Sequence, residues 1–144
     1  MKWKIDFLTI EVDWIIHATE DEEKVNKRIT SFFPLSERYI KSLKSRGHFG
    51  NPIILCKVKL SGSESDEFLR ILFSSFKADD KKKLEYELLK HLDENGAFYI
   101  RISKQLLFEN KISISETDVI RIKLKPKSSL KLNEKLSFYR RLLK

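Results

Sequence analysis

The chain has 144 residues, of which 41% are hydrophobic and 35% charged, with a net charge of +8. One domain, residues 1–144, accounts for that length, because a chain of this size buries about 68% of its unfolded surface and builds a full core. The composition excludes disorder, and the longest apolar run falls far short of the roughly 20 residues that a membrane-spanning helix needs. Asp6, Glu11 and Asp13 interrupt any apolar leader, so a cytoplasmic protein with no membrane partner is expected.

From Ile5 to His17 apolar and polar residues alternate, with Leu8, Ile10, Val12, Trp14 and Ile16 on one side and Thr9, Glu11, Asp13 and His17 on the other, which predicts a half-buried strand. Thr19-Glu20-Asp21-Glu22 then supplies an N-cap and acids suited to a helix N-terminus, and the helix runs to about Phe32, before Pro34. Glu37–Ser45 reads as an edge strand entering Gly47-His48-Phe49-Gly50-Asn51-Pro52. There the two glycines permit positive φ, Asn-Pro favours a turn, and His48 and Phe49 are presented on a constrained loop. Ile53–Leu60 is a strand with Ile54, Cys56, Val58 and Leu60 inward and Lys57 and Lys59 outward; Cys56, the single cysteine, is expected as a small core residue.

Asp66–Phe76 has the helical spacing of Phe68, Leu69, Leu72, Phe73 and Phe76. A further helix begins at Asp79 or Asp80, carries Leu84, Leu88, Leu89 and Leu92, and is expected to end at Asn95-Gly96 in a left-handed cap. Phe98–Ile102 is a strand with Tyr99 and Arg101 outward. Lys111–Ser115 is a candidate strand, and Asp118–Lys125 a strand with Arg121, Lys123 and Lys125 outward. After Pro126 an amphipathic helix starts between Ser129 and Asn133 and presents Leu132, Leu136, Tyr139 and Leu143. The fold class is α+β: an antiparallel or mixed sheet of about five strands with helices packed on one face.

The charge is uneven. Residues 121–144 carry nine Lys/Arg against one Asp/Glu, equal to the whole excess, which points to a localised cationic surface and a polyanionic partner, RNA first. If the strands are neighbours, Lys57, Lys59, Arg101, Arg121, Lys123 and Lys125 gather on one sheet face to meet phosphates. Tyr99 adds a platform on which an unpaired base stacks for roughly 1–3 kcal/mol, and Phe49 offers another. The competing arrangement is cross-strand pairing with Glu11 and Asp13, or a helix laid over the face. Arg140, Arg141 and Lys144 suit a helix C-terminus, and Lys81-Lys82-Lys83 a solvated helix face.

No catalytic pattern stands out. His17, His48 and His91 lack the spacing and cysteine partners of a metal site, and no glycine-rich phosphate cradle is present, so no cofactor or metal is expected. A His17–His48 pair would perform acid–base cleavage of RNA only if the fold joined them.

Four segments together carry a resemblance: His17-Ala18-Thr19-Glu20-Asp21, Gly47-His48-Phe49-Gly50-Asn51-Pro52, Phe98-Tyr99-Ile100-Arg101-Ile102-Ser103-Lys104-Gln105, and Asp118-Val119-Ile120-Arg121-Ile122-Lys123. In this order, over nearly the whole chain, they resemble the archaeal RNA-binding protein family labelled a predicted exosome subunit. The resemblance implies a ribosomal-protein-like fold, similar to the large-subunit protein that holds the small ribosomal RNA, and RNA binding without catalysis. Exosome or ribosomal components are the partners it implies. Ser103 departs from the pattern, since similar proteins tend to carry Asp there. Two alternatives stay open: a subunit docking an acidic protein, and a metal-independent ribonuclease.

Overall fold

The structure, a computed structural model, describes residues 8–144, so the start of the first expected strand, residues 5 to 7, lies outside the described residues. Strands Thr9–Ile16 (β1), Lys41–Arg46 (β2), Pro52–Ser61 (β3), Phe98–Ser103 (β4) and Val119–Lys125 (β5) form one antiparallel sheet in the order β2-β3-β1-β5-β4. Alternation decides the faces. Ile10, Val12, Trp14 and Ile16 of β1 are no more than 2% exposed, while Glu11, Asp13 and Ile15 between them point outward. The register aligns the apolar sets across strands: Val12 lies between Val58 and Ile122, and Ile122 also faces Ile100, so one β-branched rung runs through four strands.

Helices Glu22–Phe32 (α1), Ser63–Ser75 (α2), Ala78–Tyr86 (α3), Lys104–Leu107 (α4) and Leu132–Leu142 (α5) supply the other half of a single core. Phe33, just past α1, stacks on Phe68 of α2 at 4.4 Å between ring centres, and Phe98 of β4 meets Tyr139 of α5 at 4.9 Å. Each such buried ring contributes about 1.5–3 kcal/mol through removal from water. The polar ends of buried aromatics are satisfied. Trp14 Nε1 donates to Asn26 Oδ1 of α1 at 2.9 Å, and the Tyr139 hydroxyl donates to the Gly96 carbonyl at 2.6 Å.

Local departures from the sequence reading have physical causes. Asp21 rather than Thr19 caps α1, accepting from Lys24 N at 3.2 Å, because residues 17–20 form a turn in which Glu20 N donates to His17 O at 2.9 Å. Glu37–Tyr39 forms a turn of 3₁₀ helix, so the edge strand starts later than expected and spans Lys41–Arg46. α3 stops at Tyr86, well before Asn95-Gly96. A tight turn over Leu88–His91 then buries Leu88 and leaves Leu89 exposed, so the expected four-leucine face does not form. Gly96 does take positive φ, but in a turn in which Asp93 Oδ1 accepts from the amides of Asn95 and Ala97. The candidate strand Lys111–Ser115 is reduced to one bridge, Ile102 to Ile114. On α5 the buried set is Lys135, Phe138, Tyr139 and Leu142, followed by Leu143, whereas Leu132 is exposed.

Candidate nucleic-acid interface

The helices cover one face of the sheet and leave the other to solvent. On that open face Lys57, Lys59, Arg101 and Arg121 are exposed and Tyr99, Lys123 and Lys125 half-buried. The register sets them in rungs. One crosses all five strands as Lys41, Lys57, Asp13, Arg121 and Arg101; the next runs Lys59, Glu11, Lys123, Tyr99.

Cross-strand pairing and the cationic face coexist. Glu11 bridges Lys57 at 3.1 Å and Lys125 at 2.9 Å, Arg121 holds Asp13 at 3.0 Å, and Lys123 lies 3.6 Å from Asp93. Tyr99 is flanked by cations, with Lys123 Nζ at 5.2 Å and Arg121 Cζ at 5.6 Å from its ring centre, inside cation–π range. The Tyr99 side chain beside it, and then Asp93 and Glu11, raise the Lys123 pKa against a small desolvation effect. Lys41, Lys59 and Arg101 have no acidic partner among the described residues, which makes them the cations most available to an incoming phosphate.

Burial pushes the Glu11 carboxyl upward, but Lys125 and Lys57 reverse this and hold its pKa at about 2, against 4.5 for the ordinary group. A folded-state pKa below the unfolded one means that the stabilisation is complete above pH 4.5 and disappears as pH falls through about 2. Allowing for solvent screening, acidification across this window should cost about 1–2 kcal/mol at Glu11, and Glu11→Gln should flatten that part of a stability-versus-pH curve measured by denaturant unfolding. A variant that loses stability on acidification as steeply as the parent would show that Glu11 is not the titrating group.

Gly47 to Pro52 is the β2–β3 hairpin connection. Gly47 N donates to Asn51 O at 2.7 Å and Gly50 N to Gly47 O at 2.9 Å, and Pro52 opens β3 at a position where its missing N–H does no harm. Of the two glycines that permit positive φ in this loop, Gly50 takes it and Gly47 does not. Phe49 stands 87% exposed with His48 edge-on against it. His48 and His17 do not share a partner, since His17 Nε2 lies 3.1 Å from Asp118 Oδ1.

That His17–Asp118 contact belongs to a cluster on which three of the four family-like segments converge. Lys104, at the start of α4, is fully buried, and its Nζ donates to Ile15 O at 2.6 Å, to Glu20 Oε1 at 2.8 Å and to Asp118 Oδ1 at 3.1 Å. Gln105 Nε2 donates to Asp118 Oδ2 at 2.9 Å, and Glu20 Oε1 also accepts from His17 N. Burial raises the Asp118 pKa, but the hydrogen bonds from Gln105, Lys104 and His17 outweigh it and hold the carboxyl below its usual range. Asp118 adopts φ 48°, a strained setting for a residue with a side chain, held by these bonds. The cluster ties the end of β1 to the start of β5. Ser103, where similar proteins tend to carry Asp, caps α4 by accepting from Leu106 N at 3.1 Å, a task either side chain performs. Among the described residues no group of three His, Cys, Asp or Glu is placed to hold a metal ion.

The structure thus brings the six predicted cations and Tyr99 onto one face, and leaves His48 and Phe49 on a hairpin tip. Sequence reasoning missed Lys41, which fell in a segment read only as an edge strand, and the Lys104 cluster. The signal for the cluster was present in the quoted segments but not in any spacing, because partners such as His17 and Asp118 lie 101 residues apart.

A family model described as RNA binding matches residues 9–126. The RNA-binding protein PAB1135 of Pyrococcus abyssi is 33% identical over 134 residues, covering 89% of this chain and 87% of that protein. The uncharacterized protein MJ0213 of Methanocaldococcus jannaschii is 33% identical over 118 residues, 78% of each. Among solved structures, protein AF2318 from Archaeglobus fulgidus is similar with a TM-score of 0.79 at 30% identity, over 93% of this chain and 97% of that one.

Proposed function

We propose, because this chain belongs to the RNA-binding family whose model spans residues 9–126, that its open sheet face binds RNA without cleaving it. The observation that carries this reading is the set of outward cations on adjacent strands, Lys57, Lys59, Arg101, Arg121, Lys123 and Lys125, extended at the sheet edge by Lys41. Phosphates meet such a surface by displacing counterions, and each contact adds to the salt dependence of binding. Phe49 on the hairpin offers a ring for a base, and Tyr99 orients the cations around it. The sheet-face mode accords with the ribosomal-protein-like fold that the resemblance of the four segments implies. Participation in RNA processing or degradation in the cytoplasm belongs to this proposal, and exosome or ribosomal partners rest on the resemblance of the four segments. Binding without chemistry is supported by the separate partners of His17 and His48.

The test is fluorescence anisotropy of a labelled RNA across a salt series. Four or so phosphate contacts predict a log–log slope of about −3 on single strands. A flat salt response, or an absence of binding at low salt, would sink the reading. Capture of an acidic protein that survives nuclease treatment, together with an absence of RNA binding, would replace it with protein docking.

A further inference from the structure

Beside the cationic rung, toward the β2–β3 hairpin, the open face changes character. Leu43 of β2, Leu55 of β3 and Ile15 of β1 lie on a single rung, and Val119 of β5 flanks it. Leu43 is 64% exposed and Ile15 40%, so two large aliphatic chains on this face stay wet. Single exposed apolar residues are ordinary on a protein surface, but a contiguous apolar strip bordered by charge marks a binding site. Together the two rungs line a groove of about 650 Å³, a volume within the range of small-ligand sites.

The rim identifies the occupant. Lys41, Lys57, Arg101 and Arg121 border the groove against one acid, Asp13, which is already engaged by Arg121. A ligand complementary to the site therefore carries regular negative charge on one side and flat apolar surface on the other. Single-stranded RNA has both. In a duplex the base faces are stacked and hidden, so only unpaired bases lay a face against an aliphatic floor. The geometry matches a strand of RNA as well: adjacent rungs are separated by two residues, about 7 Å along the strands, and the cationic rung crosses five strands, roughly 20 Å. Tyr99, the aromatic of the neighbouring rung, has Arg121 and Lys123 against its ring, which leaves the aliphatic floor as the open apolar surface of the sheet.

We propose that a short single-stranded run of RNA lies across the strands at this end of the sheet. Its bases rest against Leu43, Leu55, Ile15 and Val119, and its phosphates follow Lys41, Lys57 and Arg101. This deepens the RNA-binding reading and rests on it: it makes the protein a reader of unpaired RNA rather than of helices.

The experiment compares three probes by anisotropy at one salt concentration: a short oligouridylate, an abasic oligomer with the same number of phosphates, and a duplex of the same length. The oligouridylate is expected to bind at least about tenfold more tightly than either of the others. Leu43→Ser combined with Val119→Ser should erase the difference between the oligouridylate and the abasic oligomer. Because Leu43 lies on an exposed edge strand, Leu43→Ser alone guards against a folding defect, and methyl NMR on the parent provides a second readout: the Leu43, Leu55, Ile15 and Val119 methyls should shift with the oligouridylate and stay in place with the duplex. Equal affinity for all three probes would overturn the groove while leaving RNA binding intact. Failure of every probe to bind would overturn both. A concentration-dependent dimer that Leu43→Ser dissociates, with RNA affinity unchanged, would give the groove to a second copy of the chain.

Discussion

Replacing Lys104 by alanine is expected to lower the unfolding free energy by about 3–5 kcal/mol and the thermal midpoint by roughly 10–20 °C. The Lys104 ammonium is taken wholly out of water and compensated by three acceptors: Ile15 O, Glu20 Oε1 and Asp118 Oδ1. Removing it leaves Glu20 a part-buried carboxylate whose remaining bond is to His17 N, and takes the Ile15 carbonyl's donor away. Asp118 suffers less, because His17 and Gln105 still hold it. The loss therefore comes from uncompensated charge rather than from a missing attraction. Lys104→Met combined with Glu20→Gln should recover much of it, since it removes both members of the pair while keeping the volume. Denaturant midpoints of the single and double variants decide the matter. A Lys104→Ala loss of under about 1 kcal/mol, or no recovery in the double variant, would show that the cluster is not the pin described here. The pin also bears on the proposed groove, since it sets the end of β1 and the start of β5, which carry Ile15 and Val119 to the apolar rung.

Strand identity was legible in the sequence because period-two alternation survives tertiary packing: the inward and outward sets of β1, β3, β4 and β5 fall where alternation put them. The outward cations were legible for the same reason. What the sequence hid was anything decided between strands. Whether Glu11 meets one lysine or two depends on β1 lying between β3 and β5, an order that no local pattern encodes. The neutralising capacity of two acids therefore looked smaller than it is, with Glu11 serving Lys57 and Lys125 together. Helix ends failed where a local turn displaced the expected cap, as at Thr19, or where weak amphipathicity let the chain turn early, as after Tyr86. Lys104 reads as a surface lysine by type, and only the approach of Glu20 and Asp118 explains its burial. The apolar rung was invisible because Leu43 and Ile15 are unremarkable singly and become a strip only through the register of β2, β3 and β1.

Reversing Lys59 and Arg101 together, as Lys59→Glu with Arg101→Glu, is expected to weaken RNA binding about 10- to 100-fold at low salt and to reduce the magnitude of the salt slope by about 1.4 on single strands. These two are chosen over Arg121 and Lys123 because they have no acidic partner among the described residues. Reversing Arg121 would also leave Asp13 unpaired, and reversing Lys123 would disturb Tyr99 and Asp93, so a loss of binding there could be a loss of structure. Both chosen side chains are exposed, and their replacement removes no packing. Net charge alone could mimic the effect. Lys82→Glu with Lys83→Glu, on the exposed face of α3, changes the total charge equally and places the change on a helix rather than on the sheet. If the sheet face holds RNA, the α3 pair shifts affinity little while the sheet pair shifts it by one to two orders of magnitude. Equal losses in the two variants would mean that binding follows total charge, and the site would have to be sought away from the sheet.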